Sequence, residues 1–481
     1  MSAYLGPQIG IDALGRTVFQ GAIYDPMTTR TVTAGQVDPA TGLTAAADAT
    51  IRDPFPGNII PSNRFDRVTR NILPLFPEPS LPGILSNFGS QAIKINRVNG
   101  WGTKIDHALT DDHKLFGSFV WSRLSTPGES AFPGALSRAI PNTNDIRIFR
   151  LGEDSILRPN LINHAALGFN RLRFGTHPTA DAFGWPLKIG LTGVNENGVF
   201  PRLDIAGQDS YGGTEIAYGA QNNFDVNESL IWIKGKHTLK FGFEYLKMMS
   251  NDVSRGQDTG SLSFNNPETA LPGSQAGATG AGMASFLLGW ADSGEVHVYA
   301  SGSYERSGYY AGYAQDDFKV TPKFTLNMGL RYDLYRPTVD KFNHLAWVHR
   351  TMPNPALGGF PGAMVFATPE RRTGVDQFNK GFAPRFGLAY SLNDKTVLRD
   401  GYGLFWAAGG YIRASRGLYI QGYNSINTLN GLDGITPALV LQEGWPAWKF
   451  HAPPFIDPTD GFNSGVHILD RDDAHPPYLQ N

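Results

Sequence analysis

The chain has 481 residues, a formal net charge of −2, no cysteine, 17% charged and 12% aromatic residues. A near-neutral chain lacks the field that recruits nucleic acid or an anionic surface. The missing cysteine excludes disulfides, thiolate nucleophiles and Cys-ligated metals. No run of about 18 apolar residues exists, so the sequence encodes no transmembrane helix; the strongest apolar run, 286–291, is far too short.

In chain order, residues 1–7 lack the basic and apolar regions of an export signal. A cytoplasmic protein would explain this, and so would a fragment whose true N-terminus is missing. Residues 1–95 are punctuated by breakers at 53–58 and 76–79 that leave little room for long strands. One short helix is predicted over 66–75, ending near Pro74. The segment 1–95 is expected to be a long extracellular loop or connector, and 96–481 a partial transmembrane barrel.

From residue 96 onward the sequence alternates. In 324–334 one parity reads Phe324, Leu326, Met328, Leu330, Tyr332, Leu334 and the other Thr325, Asn327, Gly329, Arg331, Asp333. Side chains on a strand alternate between faces, so one face here is apolar and the other polar or small. About eleven residues is also the length a tilted strand needs to cross a bilayer. Residues 239–245 and 382–392 repeat the pattern. Weaker versions fall at 101–109, 114–124, 146–157, 160–174, 222–233, 305–320 and 395–406, with fainter ones near 295–302 and 411–423.

The connections are of two kinds. Tight turns are predicted at 110–113, 158–160, 234–237, 321–323 and 393–395, rich in Gly, Pro, Asn and Asp. Long segments rich in Gly, Pro, Asn, Ser and Thr separate the hairpins at 175–221, 249–304 and 337–381. Structureless loops of that length are uncommon in compact soluble domains. Short turns on one side and long loops on the other are the layout of an outer-membrane antiparallel β-barrel, periplasmic and extracellular respectively. Aromatics gather toward strand ends (Tyr309, Tyr310, Tyr313; Tyr332, Tyr335; Tyr402, Phe405, Trp406), as interfacial girdles would. The competing reading is ordinary packing in a soluble β-sandwich, which the loop asymmetry disfavours.

Several stretches also resemble a known family. The run Tyr313-Ala314-Gln315-Asp316-Asp317-Phe318 continuing through 332, the hairpin at 234–242, and the strands at 383–390 and 398–405 resemble hairpins and strands of TonB-dependent receptor barrels. Residues 24–30 and 53–61 resemble a stretch of the Oar-like branch. The resemblance implies a 22-stranded barrel, of which about 10–12 strands are present here, with an N-terminal plug, a regulatory domain and a TonB box. None of these N-terminal parts, nor the closing C-terminal strands, is visible in the sequence, so the chain is expected to be an internal fragment whose barrel does not close alone. Asp400 departs from the pattern, sharing parity with Leu398, Tyr402 and Leu404; it is expected near an interface or on a local bulge, since a mid-depth lipid-facing charge is costly.

No catalytic constellation stands out, and no enzyme activity, cofactor or metal is expected. Gly401, Gly403, Gly409 and Gly410 sit on or beside a strand with no following amphipathic helix, against a nucleotide loop. Asp470, Asp472, Asp473 and His475, and Asp457, Asp460 and Asn463, lack full cation-loop spacing and read as solvated loops. Basic residues show no aromatic-interleaved run for nucleic acid. The expected function is energy-coupled uptake of a small nutrient (siderophore, glycan or peptide) across the bacterial outer membrane. The partners would be outer-membrane lipid and a TonB complex acting through the plug missing from this chain. Asn327, Arg331, Asp333 and Arg385 are expected to face the lumen, and Phe324, Leu326, Met328, Leu330 and Tyr332 the lipid. The alternatives are a passive porin or adhesion barrel, and a soluble secreted β-protein that binds or cleaves carbohydrate.

Overall fold

The computed structural model describes residues 5–406, 423–446 and 477–480, apart from 84–85, 92, 94, 129, 131, 177–181, 215, 274, 300, 355–357 and 375. Ten long strands dominate: β1 (Arg97–Ala108), β2 (His113–Thr126), β3 (Asn142–Arg158), β4 (Leu161–Thr176), β5 (Ile216–Lys234), β6 (His237–Arg255), β7 (Ser303–Thr321), β8 (Phe324–Asp340), β9 (Phe382–Asn393) and β10 (Thr396–Trp406). They form one antiparallel meander in sequence order, and the short strand Pro477–Gln480 pairs with β10 as an eleventh member. The sheet is open: β1 and Pro477–Gln480 are its two edges among the described residues.

All five predicted tight turns are present, and an up-and-down meander places them at one end of the sheet. Gly235, at φ +61°, shows why one of them needs glycine: a side chain is strained in that left-handed conformation.

The long connections begin later than the sequence suggests. Strands β5 to β8 run 17 to 19 residues, well beyond the 9–11 that cross a bilayer. Their upper parts project past the apolar band, where alternation weakens because both faces meet water or protein. There the faces exchange character: Arg171, Asn222 and Arg306 fall on the parity of Phe169, Phe224 and Tyr310.

Nor are those connections structureless. They carry helices α2 (Trp185–Ile189) and α3 (Gly282–Leu288) and, joined by Asn424–Asn430 from beyond β10, a five-stranded sheet in the order Ser210–Tyr211, Arg202–Ile205, Ser261–Phe264, Ser293–Tyr299, Asn424–Asn430. The faint strand read near 295–302 is therefore real, but belongs to this second sheet; that near 411–423 lies outside the described residues. Within 5–95 the structure has strands of nine residues or fewer and helix α1 (Arg67–Ile72), followed by a turn of 3-10 helix at Leu73–Leu75. Asp66 caps α1, accepting from the backbone N–H of Val68 at 2.7 Å and of Thr69 at 3.3 Å.

The largest buried core lies here, in what we call the cap. Val68 and Ile72 of α1, Ile189 of α2, Phe286 of α3, Leu203, Leu262 and Val296 of the small sheet, and Trp445 pack together. The apolar run at 286–291 is divided: Phe286 and Ala291 join this core, and Leu288 joins a smaller one with Ile23, Phe55 and Ile60.

Candidate functional site

The long sheet has two faces of opposite chemistry. One carries Phe241, Phe243, Tyr310, Met328, Leu330, Phe386 and Tyr390, all exposed large apolar groups, brought into line by the register Phe241–Ala314–Leu330 and Phe243–Gly312–Tyr332. Phe324, Leu326, Met328, Leu330 and Tyr332 all share this face by parity. Asp400 lies on it too, opposite Leu388 in regular register; the irregularity in this hairpin is at Ser391/Asn393, beside the turn, so Asp400 is not bulged out. It stands four residues from the start of β10 at Thr396, close to the turn end.

The other face holds a polar network. Arg331 donates to Glu244 Oε2 at 2.8 Å, to Asp333 Oδ1 at 2.9 Å and to the Tyr309 hydroxyl at 2.6 Å. The Tyr309 hydroxyl in turn donates to Asp333 Oδ1 at 2.6 Å, and its ring stacks on Tyr335 with centroids 4.4 Å apart. Asp333 and Tyr309 are buried, and the Arg331 side chain is 19% exposed. Three strands supply it: Glu244 from β6, Tyr309 from β7, and Arg331 with Asp333 from β8. Of the residues singled out by sequence, Arg331 and Asp333 are brought together. Asn327 and Arg385 share their face but stand apart: Arg385 lies opposite Gly329 and packs on the Phe405 ring at 4.7 Å.

Glu244 and Tyr309 were missed as members. The signal for Glu244 was present, since it alternates with Phe243 and Tyr245. The interfacial aromatics expected around 309–313, 332–335 and 402–406 do not share one face. Tyr309, Tyr313, Tyr335 and Phe405 sit on the polar face, whereas Tyr310, Tyr332, Tyr402 and Trp406 sit on the apolar one. Adjacent residues of a strand cannot share a face, so a cluster read by proximity in sequence splits in two.

The cap contains the second polar constellation. Arg52 is fully buried. Its guanidinium donates to the carbonyls of Pro267, Glu268, Ala270 and Ile435 at 2.9–3.0 Å and to Thr29 Oγ1 at 2.9 Å, tying four segments together. Glu268 beside it is also fully buried, and neither of its carboxylate oxygens receives a hydrogen bond. Burial first, and then Asp292, push its pKa up to about 8. Arg30 bridges Asp38 and Asp53 at 2.8 and 2.9 Å, holding Asp38 well below the usual carboxylate range.

Among the described residues no group of three or more His, Asp or Glu is placed to hold a metal, and no helix is long and apolar enough to cross a membrane. The acidic groups at 457–463 and 470–475 and the glycines 409 and 410 lie outside the described residues.

No curated protein matches the sequence. Solved structures with similarity include the alcaligin outer membrane receptor FauA from Bordetella pertussis (11% identity, TM-score 0.37, 65% of this chain and 36% of that one). Others are the siderophore receptor PirA from Acinetobacter baumannii (14%, 0.33, 73% and 40%) and the ferric enterobactin receptor PfeA from Pseudomonas aeruginosa (15%, 0.31, 69% and 37%). This chain spans about two fifths of their length. The outer membrane beta barrel domain model matches residues 12–481. With two-faced strands, one-sided tight turns and a match over nearly its whole length, the chain belongs to the outer membrane beta barrel domain family, and its location is the bacterial outer membrane.

Proposed function

We propose that this chain forms part of the wall and extracellular cap of a barrel that imports a small nutrient across the outer membrane, driven by a TonB complex acting through a plug outside this sequence. The observation that carries the reading is the charged network of Glu244, Tyr309, Arg331 and Asp333, built across three strands on the face opposite the lipid-facing residues. A band of exposed Phe, Leu, Met and Tyr belongs against hydrocarbon. The polar face then borders the lumen, where Asn327, Arg331, Asp333 and Arg385 meet solute or plug. The role involves no covalent chemistry; these side chains bind and orient. The resemblance of 313–332, 383–390 and 398–405 to TonB-dependent barrels supports the energised mechanism over passive flow.

The test is uptake. Cells with and without the gene, each with and without tonB, are compared for accumulation of labelled siderophore, oligosaccharide and peptide pools. The reading expects one pool whose uptake is lost on deleting either gene. Gene-dependent uptake that survives loss of tonB would make the barrel a passive pore.

A further inference from the structure

We propose that the β5–β6 turn carries a docking site for the headgroup of an anionic phospholipid in the periplasmic leaflet. A recess of about 560 Å³ opens at this turn, lined by Trp232, Lys234, Lys236, His237, Leu239 and Phe318. Register places Trp232, Leu239 and Phe318 on the same face as Phe241 and Phe243, the face turned to lipid. The recess is therefore the lower end of the apolar wall, at the depth where headgroups lie. Amphipathic aromatics and lysines belong at that depth, keeping their apolar parts in the bilayer and their charges in the headgroup layer.

The charges of the recess point to an anion. Lys234 is held 5.1 Å from the centre of the Trp232 ring. Lys236 spends one N–H on the Val320 carbonyl at 2.9 Å, leaving two donors for a ligand. Neither lysine is ion-paired among the described residues. Asp317 pairs with Lys240 at 3.1 Å on the opposite face, and Asp316 holds His237 at 2.7 Å through Oδ2 while its Oδ1 stays without a partner, so one carboxylate shares the recess face with the two lysines. His237 is itself fixed flat on Phe318, centroids 4.2 Å apart and 2° from parallel. Two ammonium groups outside any ion pair thus stand beside a rigid aromatic floor and outnumber the single carboxylate, Asp316, on that face. The β1–β2 turn of the same end carries Asp111 and Asp112 instead.

The occupant is a lipid and not a free anion because the recess is continuous with the apolar strip. A phosphate between Lys234 and Lys236 would leave its acyl chains along Leu239, Phe241 and Phe243. Each lysine near an anionic headgroup contributes about 1 kcal/mol.

Native mass spectrometry of the intact protein, extracted from outer membranes in detergent and titrated with phosphatidylglycerol or phosphatidylcholine, tests this. Phosphatidylglycerol should bind more tightly. The double variant Lys234→Gln/Lys236→Gln should weaken it about thirty-fold while leaving phosphatidylcholine unchanged. Lys395→Gln at another turn of the same end should have no effect, and heat-modifiable migration should show all variants folded. Equal phosphatidylglycerol affinity in wild type and double variant would overturn the proposal. So would displacement of the lipid by millimolar inorganic phosphate, which would make the recess a site for free anions.

Discussion

Replacing Arg52 by Met tests whether the long extracellular connections form a folded body. Methionine fills much of the volume of the arginine stem, so packing changes little and the loss is mainly polar. Four backbone carbonyls and the Thr29 hydroxyl lose their donor at a site with no solvent access. Leaving a buried polar group unsatisfied costs roughly 1–3 kcal/mol. Several of these carbonyls would recover partners by relaxation or entry of water, so a net cost of about 4 kcal/mol is expected, in the range for breaking a buried charged contact. Glu268 would also lose its nearby positive charge, since Arg52 opposes the upward shift of that carboxyl. Four kcal/mol raises the population of the opened cap about a thousand-fold. Protease added to intact cells, at levels where cleavage follows the open population, should then cut the variant far faster within 185–211 and 256–292. Heat-modifiable migration should be unchanged, because the long sheet does not contain Arg52. Equal cleavage rates in variant and wild type would refute the claim that Arg52 pins a cooperative cap.

Other expectations follow from the same geometry. Leu330→Arg places a charge on the apolar face and should cost about 2–4 kcal/mol near mid-bilayer, read as a lowered urea midpoint for barrel unfolding, whereas Asn327→Arg on the polar face should shift it little. Glu268 has a folded-state pKa of about 8 against an ordinary 4.5, so the folded cap holds a proton that the unfolded chain releases. Its contribution is complete below about pH 4.5 and is lost as pH rises through about 8. Cap protease resistance in Glu268→Gln should therefore overtake wild type across that window, and parallel pH curves would rule this out. Protease outside intact cells should never cut at Gly235; a cut there would invert the assigned orientation.

The wall was legible in the sequence because a membrane strand must alternate. In 324–334 and 239–245 parity is strict, and register then carries Phe241 beside Leu330 and Glu244 beside the Arg331–Asp333 pair. The turns were legible for a similar local reason: Gly235 supplies the positive φ its turn requires, and Pro322 is a residue that tight turns favour. The cap was not. Its core joins Val68, Leu203, Leu262, Phe286 and Trp445, positions scattered along most of the chain with no shared period. Strands such as Arg202–Ile205 and Ser261–Phe264 are four residues long, too short for alternation to register. They also pair in parallel, which no hairpin turn announces. The Arg52 contacts span up to 383 residues. Glycine and proline in these segments signalled loops correctly at each position, yet said nothing about whether the loops pack on one another.

The two parts also draw on different forces. The long sheet exposes large apolar side chains to its surroundings, and few of its hydrophobic residues are buried. Its cohesion comes from continuous ladders of backbone hydrogen bonds, which hydrocarbon makes obligatory because it offers no competing partners. The cap stands in water and must bury apolar surface to exist at all, which is why Phe264, Phe286, Leu203 and Leu262 reach essentially zero exposure there. A perturbation of lipid or of ladder register should act on the wall and spare the cap. Changes in pH or in a single buried contact such as Arg52 should act on the cap and spare the wall.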